Sequence, residues 1–113
     1  MKLSIYFILN KYLFSGVSTT YWDNNRINEG IGFVRNKEWD KFGGTYGKKE
    51  SKLLYDTVLL QNLTVIGKSV LVIGSINPWV EIIFLALGAK QTITLEYNKI
   101  ISHHPQVIES KLV

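Results

Sequence analysis

The fold is decided by residues 69–98, which read SVLVIGSINPWVEIIFLALGAKQTITLEYN. The run from Val70 to Ile73 is apolar and rich in β-branched residues, which is typical of a strand covered on both faces in a parallel sheet. Gly74 ends that strand. A second strand, Thr92–Leu95, follows after a segment long enough for one helix. This order predicts a β-α-β unit, and therefore an α/β fold with a parallel sheet.

The segment between the two strands carries start and stop signals for a helix. Asn77 is a favourable N-cap, and Pro78 fits the first helical position, where its missing N–H removes no hydrogen bond. Glu81 falls in the first turn, where its charge complements the helix dipole. Gly88 is the expected C′ residue after the last turn. Because the residues in between are almost all apolar, we expect this helix to be heavily buried.

This order of elements brings two kinds of group to one edge of the sheet. The start of the helix presents free backbone N–H groups beside the tip of the first strand. Glu96 ends the second strand, where a carboxylate can accept hydrogen bonds from two ribose hydroxyls. Glu96 lies 22 residues beyond Gly74, close to the spacing of about 20 residues in dinucleotide-binding units. The sequence therefore predicts a nucleotide site, and the same logic allows NAD or another nucleotide as its ligand.

Three segments carry a resemblance to a known family. Val70–Ser75, Leu85–Ala89 and Thr94–Asn98 look like the first motif and the acidic second-strand end of class I S-adenosylmethionine-dependent methyltransferases. More closely, the chain resembles an uncharacterised, nematode-rich family of methyltransferase-like proteins, family 268 among the domains of unknown function. The residues that carry this closer resemblance, within roughly residues 20 to 108, are Gly74-Ser75, Pro78–Glu81, Gly88-Ala89, Leu95–Asn98 and His104-Pro105, with Trp39, Gly43–Gly47 and Ser51 upstream.

The resemblance implies a partial Rossmann-like, methyltransferase-type parallel sheet of which only the N-terminal portion is present. It also implies S-adenosylmethionine as the cofactor, with Gly74 and Ser75 approaching its methionine and ribose part and Glu96 holding the ribose hydroxyls. Ile76 and Pro78 stand where the general G-x-G-x-G loop has glycines. Their side chains predict a less close approach of the backbone to the cofactor.

The end of the chain sets an expectation about activity. Val113 falls inside or just after an expected second helix, before the later strands and the substrate loop of the resembled fold. We therefore expect a truncated methyltransferase-like protein with little or no activity of its own. One alternative is a non-enzymatic fragment that associates with a protein partner through unpaired sheet edges. For the core, the alternative to truncation is that the N-terminal 60 residues complete an abbreviated core.

The chain divides into three regions. Residues 1–20 are an apolar N-terminal segment, in which residues 1–16 fit either a signal peptide or a docked helix or strand, so localisation stays open. Residues 21–50 form an irregular segment rich in aromatic residues and glycine. Residues 51–113 hold a helix and the first β-α-β unit of a Rossmann-like domain that is expected to be incomplete. We expect Ser51 to cap that helix and its apolar stripe to face the core, the stripe being Leu53, Leu54, Val58, Leu59 and Leu60.

Composition excludes several classes of site. The net charge is +4, and the basic residues between Arg35 and Lys52 are too sparse to give a strong nucleic-acid signal. The chain has no cysteine, which excludes disulfides and thiolate metal sites. His103 and His104 point to different sides of any regular element, so we expect surface residues and no metal site. No apolar run reaches the roughly 18 residues of a transmembrane span, and no motif indicates catalytic residues.

Overall fold

The computed structural model describes residues 3–4, 19–44, 46–61, 64–96 and 99–111. Within these ranges no helix has the length and apolar character needed to cross a membrane. The strands are β1 (Leu3–Ser4), β2 (Thr19–Trp22), β3 (Ser69–Ile73), β4 (Gln91–Glu96), β5 (Lys99–Ser102) and β6 (Val107–Lys111). The helices are α1 (Asn24–Arg35), α2 (Trp39–Phe42), α3 (Lys48–Leu60) and α4 (Trp79–Ala86).

Parallel strands form two sheets, which confirms the α/β class. The larger sheet has the order β1-β3-β4-β6, and each neighbouring pair is parallel. Its two central strands, β3 and β4, are the strands predicted from the sequence; Val70 pairs with Thr92, and Ile73 pairs with Leu95. The smaller sheet pairs β2 with β5, also in parallel. The predicted β-α-β unit is therefore present, with α4 as its helix.

The start of α4 lies one residue later than predicted. Pro78, not Asn77, holds the N-cap position. The Ser75 hydroxyl donates to the Asn77 carbonyl at 2.9 Å, which keeps Asn77 in the turn that precedes the helix. Every residue from Trp79 to Leu85 is buried, so the predicted burial of this helix is confirmed.

The end of α4 follows the prediction. Gly88 is the C′ residue and has a φ of +100°. Its N–H donates to the Leu85 carbonyl at 3.0 Å, and the next N–H, of Ala89, donates to the Phe84 carbonyl at 3.0 Å. These two bonds make a Schellman motif, which satisfies carbonyls that the last turn would otherwise leave without donors.

Helix α4 is the central layer of the molecule. One side packs against β3 and β4, where Val70 and Val72 are fully buried. The other side packs against α1 and α3. Gly30 allows α1 to approach α4 closely, because a Cβ atom at this position would lie 2.9 Å from Ile82 Cδ1 of α4. The core therefore lies on both sides of α4, where burial of apolar surface stabilises the fold.

Residues 21–50 are more regular than predicted, because they contain α1. Asp23 caps this helix by accepting a hydrogen bond from the Asn25 N–H at 2.7 Å. Asparagine and glycine are common in α1 and are poor helix formers, so the helix is weakly marked in the sequence. Its buried residues follow the i, i+3, i+4, i+7 spacing of an amphipathic helix. They are Ile27, Gly30, Ile31 and Val34.

The prediction for α3 is wrong in two respects. The helix begins at Lys48 with Gly47 as its N-cap residue, so Ser51 lies inside the helix and is not its cap. The predicted leucine stripe faces the core only in part, because three of its members are exposed: Leu53, Leu59 and Leu60. The helix instead turns toward the core a face with the spacing i, i+3, i+4, i+7. That face consists of Ser51, Leu54, Tyr55 and Val58.

The second helix expected after β4 is absent from the described residues, where β5 and β6 stand instead. The connection from β4 to β6 spans residues 97–106, which is short for a helical crossover. The larger sheet therefore has four strands, since β1 and β6 flank the predicted pair. Apart from β1, residues 1–16 of the signal-peptide hypothesis lie outside the described residues, as do Thr45 and residues 97–98 of the family resemblance.

Candidate functional site

The carboxyl ends of β3 and β4 bring the predicted site residues to one edge of the sheet. Gly74 follows β3 directly, and its N–H donates to the Leu95 carbonyl at 2.8 Å. Glu96 is the next residue of β4. Gly74 has a φ of +74°, a conformation that favours glycine. The turn that begins at Gly74 and the end of β4 are therefore joined by a backbone hydrogen bond, and Gly74, Ser75 and Glu96 lie at the same edge.

Glu96 is a buried acid. The residue is 1% exposed, and its side chain lies on the same face of β4 as those of Thr92 and Thr94, which are also buried. This face packs against α4, since the Thr94 hydroxyl reaches Glu81 of that helix. A ligand that reaches the Glu96 carboxyl therefore requires movement of the residues that cover it.

Glu81 is a second buried acid beside the same turn. It is 0% exposed, and its carboxyl lies 3.1 Å from Ser75 Oγ and 2.7 Å from Thr94 Oγ1. Burial raises the pKa of Glu81 from 4.5 to about 7, against the opposing effect of these hydroxyls and its own backbone N–H. The position of Glu81 in the first turn predicts an interaction with the helix dipole, and it does not predict the burial of this side chain. The available signal was a lone acid inside an otherwise apolar helix.

The Ser75 side chain is used inside the protein. Its hydroxyl lies within hydrogen-bond distance of the Asn77 carbonyl and of the Glu81 carboxyl. From the other side, the Trp22 indole N–H donates to the Ile76 carbonyl at 2.7 Å. The turn of residues 74–77 is thus held by β4, by α4 and by β2.

A cleft of about 290 Å³ adjoins this turn. It lies between the start of α1 and the start of α4, and aromatic rings form much of its wall. Trp79 is 8% exposed, and its indole nitrogen has no hydrogen-bond partner in the part of the chain that the structure describes. The ring of Tyr46 stands edge-on to Trp79, with centroids 5.8 Å apart. Lining residues that bear on ligand binding are Tyr21, Trp22, Arg26, Asn77 and Trp79.

His104 is buried, which corrects the prediction that both histidines lie on the surface. Its Nδ1 accepts the Gln106 backbone N–H at 3.2 Å, so the ring proton sits on Nε2, which donates to Asn28 Oδ1 at 2.8 Å. Burial lowers the pKa of His104. His103 is exposed as predicted. The ring therefore joins the turn before β6 to α1, and no group of three metal-ligating side chains occurs among the described residues.

The geometry places Gly74, Ser75 and Glu96 together, whereas their roles toward a cofactor stay predictions. The chain matches no protein-family model, no curated protein and no solved structure.

Proposed function

We propose that this protein binds a nucleoside cofactor of the S-adenosylmethionine type at the carboxyl edge of β3 and β4. In this proposal β3, α4 and β4 form the nucleotide-binding part of a Rossmann-like, methyltransferase-type sheet. The observation that supports it most is the hydrogen bond from Gly74 N–H to the Leu95 carbonyl. It holds a glycine turn against the strand end that carries Glu96, and parallel sheets bind ligands beyond their carboxyl ends.

The acids at this edge favour S-adenosylmethionine over NAD. A dinucleotide places its pyrophosphate at the start of the helix, where backbone N–H groups and the dipole attract negative charge. Here Glu81 already directs its carboxyl to its own backbone N–H at that position, and Glu96 is a second acid at the same edge. S-adenosylmethionine carries ribose hydroxyls and a positive sulfonium, and it has no phosphate. It therefore does not need the backbone N–H groups that Glu81 occupies, and its sulfonium suits an edge that carries the acid Glu96.

The adjoining cleft offers a place for the adenine ring. Aromatic side chains such as Trp22 and Trp79 line it, and planar rings stack well on such surfaces. The buried Trp79 indole N–H has no acceptor among the residues described. A ring nitrogen of adenine could accept that hydrogen bond, which would offset the desolvation of the indole. The proposal is one of cofactor binding, with little or no methyl transfer by this chain alone.

Binding is tested by isothermal titration calorimetry of the purified chain with S-adenosylmethionine, S-adenosylhomocysteine and NAD. The informative variant is Glu96→Gln, which keeps the shape of the side chain and removes its charge. We expect it to weaken binding of S-adenosylhomocysteine by roughly 10- to 100-fold, because a hydrogen bond to a charged group contributes about 1.5–3 kcal/mol. We expect NAD to bind more weakly than either adenosyl compound.

The matched control is Glu50→Gln, since Glu50 is an exposed acid on α3. It should leave affinity unchanged, and circular dichroism should show that both variants are folded. Absence of binding by all three compounds would contradict the proposal. An equal affinity for wild type and the folded Glu96→Gln variant would remove Glu96 from the site.

A further inference from the structure

The Ser75 hydroxyl faces more acceptors than it has hydrogens. Ser75 Oγ lies 2.9 Å from the Asn77 carbonyl and 3.1 Å from Glu81 Oε1. A serine hydroxyl has one hydrogen to donate, whereas a carbonyl and an ionised carboxylate only accept. With Glu81 ionised, one of these two contacts would therefore bring two oxygens together without a hydrogen between them.

A proton on Glu81 completes the set of hydrogen bonds. The protonated Oε1 donates to Ser75 Oγ, and Ser75 then donates its own hydrogen to the Asn77 carbonyl. The other carboxyl oxygen, Oε2, accepts from Thr94 Oγ1 at 2.7 Å. The result is a continuous chain from β4 through α4 to the turn after β3, in which each hydroxyl has an acceptor. In a water-excluded interior, such a satisfied network holds its members firmly.

We propose that the proton on Glu81 locks the Ser75–Asn77 part of the turn of residues 74–77, and that loss of this proton loosens this part by redirecting the Ser75 hydrogen. The ionised carboxylate requires donors at both oxygens, so Ser75 turns its hydrogen from Asn77 to Oε1. The hydrogen bond from Ser75 to the Asn77 carbonyl is then lost, while those of Gly74 to Leu95 and of Trp22 to Ile76 remain. A role of this proton in regulating the nucleoside site rests on the proposed function. The coupling of Glu81 to the turn does not depend on any ligand.

Within the part of the chain that the structure describes, no positive side chain contributes to the raised pKa of Glu81. The raised pKa of Glu81 results from burial, with opposing contributions from hydroxyl and backbone donors alone. Helix α4 packs against α1, α3, β3 and β4. Arg35 of α1 directs its guanidinium to carbonyls at the opposite end of α4. Other ionisable side chains on these elements include Glu96 on β4, Arg26 and Glu29 on α1, and Tyr55 and Asp56 on α3, while β3 has none. None of them is a cause of the raised pKa of Glu81.

Trp22 provides a reporter for the turn. Its indole N–H donates to the Ile76 carbonyl at 2.7 Å, so its resonance responds when the turn changes. The experiment follows this resonance and the Glu81 carboxyl carbon by NMR in the labelled full chain, from about pH 5 to about pH 9. Substitution Trp22→Phe identifies the indole signal. In wild type, we expect both signals to shift with one midpoint near the pKa of Glu81, about 7.

Two variants separate this coupling from other titrations. Glu81→Gln mimics the protonated acid, because its amide can donate to Ser75 and accept from Thr94; the Trp22 shift should be lost. Ser75→Ala removes the relay, so Glu81 should still titrate without a matching Trp22 shift. Glu50→Gln is the exposed control and should retain the wild-type transition.

A Trp22 signal that stays constant while Glu81 titrates in wild type would overturn the inference. The same Trp22 transition in Glu81→Gln would overturn it as well. Binding is scored separately with S-adenosylhomocysteine at both ends of the pH range. If this compound fails to bind at every pH while the Trp22 transition is present, the proposed function fails and the coupling stands. If it binds and the transition is absent, the coupling fails and the proposed function stands.

Discussion

Glu81 makes the stability of this protein depend on pH near neutrality. Its pKa in the folded state is about 7, above its ordinary value of 4.5. The folded state therefore holds a proton that the unfolded chain releases between these two values. Its contribution to stability is fully present below about pH 4.5 and is lost as the pH rises through about 7.

We expect the free energy of unfolding of wild type to fall relative to Glu81→Gln by about 3 kcal/mol across this pH range, at 1.36 kcal/mol per unit of pKa shift. Urea denaturation of both proteins at several pH values measures the difference. His104 acts in the opposite direction, because burial lowers its pKa and its contribution is lost as the pH falls. The comparison of the two proteins cancels the His104 effect. Parallel stability profiles would show that Glu81 does not hold the proton.

At the scale of single residues, the sequence predicted backbone conformation better than it predicted the burial of acidic side chains. Gly74 and Gly88 were assigned to a turn and a helix end, and both have positive φ. These positions are local requirements that glycine meets without a steric penalty. The buried Glu81 carboxyl is hydrogen-bonded to Thr94, which lies 13 residues away along the chain. A contact of this kind exists only after β4 has packed against α4, so local signals do not reveal it.

Among the helices, prediction and structure differ where polar residues lie on the buried face. In α3 the leucines suggested one face, yet Ser51 and Tyr55 occupy the buried face with Leu54 and Val58. Ser51 tolerates burial because its hydroxyl is within hydrogen-bond distance of the Gly43 and Gly47 carbonyls. By contrast, α4 was predicted well, since a helix that is apolar on all sides is expected to lie in the protein interior.

The Schellman motif gives a prediction at this scale. We expect Gly88→Ala to destabilise the protein by about 1–2 kcal/mol, because alanine is strained at positive φ. The new Cβ atom would also stand 3.1 Å from Ile66 Cγ1. The matched control is Gly32→Ala inside α1, where a Cβ atom would meet nothing within 4 Å. That substitution should stabilise the protein by roughly 0.5–1 kcal/mol.

Thermal unfolding followed by circular dichroism measures both glycine variants under one condition. Opposite signs of the two effects support the assigned conformations. A stabilising Gly88→Ala would contradict the left-handed end of α4, and a destabilising Gly32→Ala would contradict the open surface around α1.

On the scale of the whole molecule, strands outside the predicted pair complete the two sheets. β1 and β6 flank the predicted pair, and β2 joins β5 across most of the chain. These strands are short and carry weak patterns, and their pairing depends on tertiary contacts, which sequence periodicity does not report. The central pair was predictable because β3 is a continuous apolar run next to a well-marked helix.

The strand order β1-β3-β4-β6 rises steadily along the sheet. In doubly wound sheets the binding crevice lies where the strand order reverses. No such reversal occurs within the strands described here. The features that support a binding site at the carboxyl edge of β3 and β4 are therefore the Gly74 turn and the Glu96 side chain. The proposed ligand site is therefore local and consists of the Gly74 turn and the end of β4.

Addition of S-adenosylhomocysteine to the labelled full chain, with mapping of the amide resonances that shift, tests this proposed site. We predict shifts at Gly74, Ser75, Leu95 and Glu96 that saturate together, with the exposed face of α3 unchanged. Saturable shifts confined to other parts of the chain, or an absence of shifts at high ligand concentration, would contradict a ligand site at this edge of the sheet.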